Sequence, residues 1–202
     1  MQFTWMVLSS VVLVAMVEPV LGQQADTANP QIMILVFDKD RLALPVLVEA
    51  ERQATLIFRR AGINVDWRNC SPGSEKSERA CHEIPTPTQF VMTIMGQNKL
   101  STNDIFGVAF LGESGTGKYL DVFFDSITKL HREVGSNEAS LLGAVIAHEI
   151  GHLLLGSHAH SQWGIMSPHW KADHLRRVGM GTLLFSPEQA FRMRARIAGF
   201  EG

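Results

Sequence analysis

The chain reads as an α+β protein: a small twisted mixed β-sheet packed against a long helix in its N-terminal half and a second, buried helix, with a further helix at the C-terminus. Three observations predict this. A strand–helix–strand pattern fills residues 31–67, three more strand-like runs follow before residue 125, and the stretch from Ser140 to Leu155 is apolar on nearly every side.

Gln31 to Asp38, QIMILVFD, is a near-continuous apolar run of strand length, as expected of a buried strand. From Pro45 to Ala61 the residues Val46, Leu47, Ala50, Ala54, Ile57, Phe58 and Ala61 recur at helical spacing, and Gly62 ends the pattern. Ile63 to Trp67 then completes the strand–helix–strand unit. Irregular chain rich in Ser, Pro and Glu follows, holding the only cysteines, Cys70 and Cys81. In an exported chain they are expected to pair as a disulfide worth about 2–3 kcal/mol in the loop-entropy model. Phe90 to Met95, Gly107 to Leu111 and Tyr119 to Phe124 read as the remaining strands. Gly112 to Lys118, GESGTGK, matches the first seven positions of a phosphate-binding loop. Tyr119 replaces the Ser or Thr that would hold magnesium, and strand follows instead of helix, so a hairpin or surface loop is expected. Ile127 to Val134 reads as a short helix. Ser186-Pro187-Glu188-Gln189 combines an N-cap, a first-turn proline and a capping-box glutamine, opening a terminal helix to about Ala198.

With 202 residues, 46% hydrophobic and 19% charged, the chain has the makings of one globular domain and not of a disordered segment. A formal net charge of −2 and the lack of a basic stripe give no ground for nucleic acid or an anionic membrane surface as a partner. Residues 1–25, MQFTWMVLSSVVLVAMVEPVLGQQA, have an apolar centre short for a bilayer span, followed by small residues, the pattern of a signal peptide. The expected mature domain is 26–202, secreted or periplasmic and with no stable membrane span after processing. No Lys or Arg precedes the apolar centre, which leaves a short N-terminal anchor as the competing expectation.

The chemistry concentrates in His148-Glu149-Ile150-Gly151-His152. Residues four apart share a helix face, so His148 and His152 can aim two imidazole nitrogens at one point. Catalytic zinc takes three protein ligands plus a water, with nitrogen ligands at about 2.0–2.1 Å. Glu149, beside the first ligand, can serve as general base toward that water. Histidines and a carboxylate inside so apolar a helix would be costly without a compensating partner, and a metal is a natural one. His82, His131, His169 and His174 have no ligand spacing and are expected at the surface or with ordinary partners.

These residues resemble the metzincin peptidases, whose signature is HExxHxxGxxH followed by a methionine turn. His158 stands where that pattern puts the third ligand, six residues after His152, and Met166 follows eight later. One position departs: Leu155 takes the place of the family glycine, and Gly156 comes one later. A helix that runs one residue longer, to an αL stop at Gly156, displaces the third ligand and leaves His158 and His160 as equal candidates. The run His152-Leu153-Leu154-Leu155-Gly156, then His160-Ser161, then Gly164-Ile165-Met166 is similar to matrixin-like bacterial secreted members. The resemblance implies a metzincin-like fold, one catalytic zinc, Met166 beneath the site, and an exposed strand just before the active-site helix, here 119–124, that binds extended substrate. A protein or peptide substrate is implied. A tyrosine metal ligand is not expected, since Tyr119 is the only tyrosine, and neither is a cysteine switch. The expected activity is that of a secreted zinc endopeptidase; the alternative is a non-catalytic zinc-binding relative acting as a protein-binding module.

Overall fold

The computed structural model describes residues 29–70, 79–96 and 105–201; the signal-peptide expectation for residues 1–25 lies outside them. The described residues build a five-stranded sheet with helices against it. Strand β1 (Gln31–Asp38) leads through helix α1 (Leu44–Arg60) to β2 (Asn64–Asn69), which pairs with β1 in parallel. Next come β3 (Gln89–Met95), β4 (Gly107–Phe110) and β5 (Tyr119–Phe123), then helices α2 (Phe124–Val134), α3 (Glu138–Leu155), α4 (Ala172–Gly179) and α5 (Pro187–Glu201). The strand order is β2-β1-β3-β5-β4, and only the β4–β5 pair is antiparallel. A mixed α+β architecture is therefore what the chain adopts.

Alternation sets the core face of the sheet. Ile32, Ile34 and Val36 of β1, Phe90, Met92 and Ile94 of β3, and Leu120 and Val122 of β5 are all buried, two residues apart along each strand. They join one hydrophobic cluster with Ala50, Ala54 and Phe58 of α1 and Leu142, Ile146 and Ile150 of α3. Helix α3 is buried almost all round, and Asn137 caps it by accepting a hydrogen bond at 2.9 Å from the Ser140 amide.

Helices α1 and α3 are in close contact at Gly143. A Cβ there would lie 2.5 Å from the Ala50 carbonyl oxygen and 2.7 Å from Gln53 Cβ. Because these atoms belong to the neighbouring helix backbone or its first side-chain atom, they cannot swing away. Gly143→Val is expected to destabilise the fold by about 3 kcal/mol, read from denaturant unfolding. Parent-like stability would refute the close crossing.

Burial alone pushes the Glu51 carboxyl of α1 up to about 7 from its ordinary 4.5. Because the folded state holds this proton more tightly, the contribution of Glu51 to stability is most favourable below about pH 4.5 and falls as the pH climbs to about 7. Glu51→Gln is accordingly expected to stabilise by on the order of 1–2 kcal/mol at pH 8, after allowance for partial solvation, and by almost nothing at pH 4. Thermal unfolding of both proteins at the two pH values checks this; an equal difference at both would refute it.

Three local readings are corrected. The strand at 119–124 is not an edge: β5 lies between β3 and β4, and among the described residues the free edge next to α3 is β4. The hairpin explains this, since a short antiparallel return places β4 outside β5 although β4 comes first in the chain. Phe124 opens α2 instead of ending the strand, and α5 continues past Ala198 to Glu201. The glycine-rich stretch 112–118 is the β4–β5 hairpin, closed by the Gly112 amide donating to the Thr116 carbonyl at 2.8 Å. Cys70 and Cys81 are joined as a disulfide with Cα atoms 5.5 Å apart.

Candidate metal centre and cleft

Helix α3 carries His148 and His152 on one face, one turn apart. The Nδ1–H of His148 donates to the Ile165 carbonyl at 2.7 Å, which fixes the tautomer and leaves a lone pair on Nε2. That Nε2 lies 3.1 Å from Nε2 of His152. Burial, assisted by the neighbouring imidazoles, brings both side chains down to about 4, so they are neutral at neutral pH, the form that binds metal.

The third imidazole is His160. Gly156 ends α3 with φ 77°, its amide still donating to the His152 carbonyl at 2.9 Å, and His158 adopts φ 63°. Gly156 has ψ −159°, so it is not the αL stop that the sequence predicts, and with His158 it makes two positive-φ residues close together, which fold the chain back over the helix end. Ala159 becomes buried and His160 arrives beside His148 and His152, so that one nitrogen from each of the three lies within 4.8 Å of the others. His158 is exposed and outside the cluster. Nitrogen donors that are neutral, mutually facing and three in number fit a single zinc ion of the catalytic kind, with room left in its coordination shell.

A frame of hydrogen bonds holds this arm. Trp170 Nε1–H donates to the same Ile165 carbonyl at 3.2 Å, so one oxygen orients both the first histidine and the indole. The Ser161 amide donates to the Met166 carbonyl at 2.9 Å. The capping box of α5 forms as expected, with the Ser186 amide on Gln189 Oε1 at 2.9 Å and the Gln189 amide on Ser186 Oγ at 3.1 Å. Gln189 also donates through Nε2 to Ser161 Oγ at 3.0 Å, tying the buried start of α5 to the residue after His160. Met166 is fully buried against α3. A Cβ on Gly151 would come within 2.6 Å of its sulfur and 2.8 Å of Phe185 Cε1, so the helix passes directly over the methionine.

Glu149 faces the same cleft, which has a volume of about 570 Å³. Strand β4, Val145 and the histidines of α3, and the segment Pro168, His169 and Trp170 line it. Glu149 is 7% exposed, and burial pushes its carboxyl up to about 8, against the opposing pull of the Ala109 backbone amide of β4. A bound cation would favour the ionised form.

Several contributors escaped the sequence reading. His169 lines the cleft and, second to burial, helps hold the His160 imidazole below its ordinary value, though it does not join the cluster. Trp170 carries no local signal at all. Gln189 was legible as a capping residue, but its second amide bond depends on where the His160 arm lies. The disulfide cysteines line no part of the cleft.

No family model matches the chain, and no curated protein matches it in sequence. Solved structures do match in fold. One is a zinc-dependent peptidase from Methanocorpusculum labreanum, with a TM-score of 0.53 at 13% identity over 79% of this chain and 99% of that one. Another is an archaemetzincin from Methanopyrus kandleri, with a TM-score of 0.52 at 12% identity over 86% of this chain and 98% of that one. The chain thus has the fold of zinc-dependent peptidases, with a three-histidine cluster at its centre that fits one zinc ion.

Proposed function

We propose that the chain is a secreted zinc endopeptidase in which His148, His152 and His160 hold the metal and Glu149 is the general base. One observation carries the reading: a buried carboxyl and three convergent neutral imidazoles share a cleft lined by a free strand edge. A purely structural zinc site has little use for the first or the last. The metal, when bound, supplies Lewis-acid polarisation of a carbonyl and acidification of water. Secretion rests on the pattern of residues 1–25 and on the disulfide. The matrixin-like assignment rests on the local motif around His152, His160 and Met166.

The chain's own residues do the rest. The Phe123 amide donates to the Phe106 carbonyl at 2.8 Å, so in the alternating antiparallel pattern residues 108 and 110 also bond to β5. Gly107 and Ala109 then turn their backbone groups to the free edge, where the Ala109 amide meets the Glu149 carboxyl and must exchange it for an incoming strand. An extended peptide adds there by main-chain hydrogen bonds, which brings a scissile carbonyl over α3. Glu149 would take a proton from the water whose oxygen adds to the scissile carbonyl carbon and pass it to the amine as the C–N bond breaks.

Digestion of a diverse peptide library by the processed protein, read by mass spectrometry beside a chelated sample and Glu149→Ala, tests this. Cleavage that both controls abolish is expected. A fully zinc-loaded protein that cleaves nothing would favour the non-catalytic binding module.

A further inference from the structure

Gly107, the first residue of β4, stands where a side chain has no room. A Cβ built on it would lie 2.7 Å from Cγ and 3.0 Å from Cδ of Glu149, and 3.0 Å from the Asp121 carbonyl oxygen. Real Cβ atoms scarcely ever approach other heavy atoms so closely. Glycine is otherwise a poor choice for a strand, because it loses backbone entropy on folding and brings no packing. Conformation does not explain it either, since Gly107 is not among the glycines with positive φ. What remains is close approach: strand and glutamate side chain occupy adjoining space, and any side chain at 107 would take part of it.

We propose that Gly107 is a positioning residue for Glu149, its bare Cα forming the surface against which the glutamate methylenes lie. The proposal rests on the reading of Glu149 as base. Glu149 springs from α3, lies against the bare Cα of Gly107 on the facing strand, and reaches the cleft and the Ala109 amide. Register reinforces this. Gly107 pairs with Val122 and Ala109 with Leu120, both buried on the helix-facing side of the sheet, so residues 107 and 109 present that side to α3. Glycine and then alanine give the strand its thinnest profile where the glutamate passes. The metal cluster is built from α3 and the returning arm and owes nothing to β4. Its affinity and the placement of the base are therefore separable.

The test is a pair of variants in the zinc-loaded full chain, Gly107→Ala and Gly107→Val, measured for kcat, KM and zinc Kd by chelator competition. A lowered kcat is expected, about 10-fold for Ala and about 100-fold for Val, since displacement of a reacting group by about 1 Å can cost 10²-fold. KM and zinc Kd should stay within about threefold of the parent, as neither depends on the carboxyl position. A second arm does not need activity. The unfolding midpoint lost on Gly107→Ala should be at least halved when the same change is made in Glu149→Ala, because the two glutamate carbons it strikes are gone and only the Asp121 carbonyl oxygen remains. An active parent whose kcat is unchanged in Gly107→Ala, or an equal midpoint loss in both backgrounds, overturns the proposal alone. A zinc-loaded parent that cleaves nothing overturns the peptidase reading, and the proposal with it.

Discussion

His160→Ala is expected to weaken zinc binding by more than about 100-fold, whereas His158→Ala should change it by less than about threefold. Loss of a group that merely orients a ligand typically costs about 10–100-fold in metal affinity, so loss of a ligand itself should exceed that range. His160 is within 4.8 Å of both other histidines through its ring nitrogen, and His158 is exposed on the turn. With two ligands left, the site falls short of the three that catalytic zinc takes from protein. Equilibrium competition against a chromophoric chelator, with circular dichroism to confirm the fold, gives both numbers. The reverse order would mean that His158, two residues earlier, returns to α3 as the ligand, and a loss in both would mean that the turn itself is needed.

That pair of histidines marks the boundary of what local sequence conveys. His148, Glu149 and His152 were legible because helical spacing is local: three residues within one turn of an apolar helix have little freedom in where they point. The third position depends on the path of a turn. Spacing six residues from His152 favoured His158, while the late glycine favoured a shift, and only the positive-φ backbone at Gly156 and His158 decides between them. The misplaced edge strand has the same cause at larger scale. Residues 107–111 and 119–124 were both recognisable as strands, but which of two hairpin strands lies outside is set by pairing with β3, a contact between segments far apart in sequence. Helix α4 was missed because its eight residues include two arginines and only three apolar side chains, Ala172, Leu175 and Val178, too short a pattern to stand out. Gly107 did carry a signal, since an isolated glycine in a strand pattern often marks close approach by another group. What approached it could not be read until α3 and β4 were placed together.

Glu149→Gln should keep zinc, keep the fold and lower kcat by about 10²–10⁴, the usual contribution of a general base. Glutamine preserves the length and shape that lie along Gly107, so the packing survives while the proton acceptor does not. The same fold-change corresponds to about 3–5 kcal/mol of transition-state stabilisation. Ground-state binding should be spared. An extended peptide held by the free edge of β4 makes no use of the carboxyl, so KM is expected to move little and nearly all of the loss to appear in kcat. The split separates the possible roles of this residue. If Glu149 only filled the space beneath the strand, glutamine would fill it equally well and kcat would survive. If it were instead needed to hold the metal, zinc content would fall with activity. Steady-state kinetics on a peptide that the parent cleaves, beside zinc content per chain, distinguishes all three outcomes, and only the loss of kcat at full zinc agrees with a carboxylate that is buried, adjacent to the histidine cluster and turned toward the cleft.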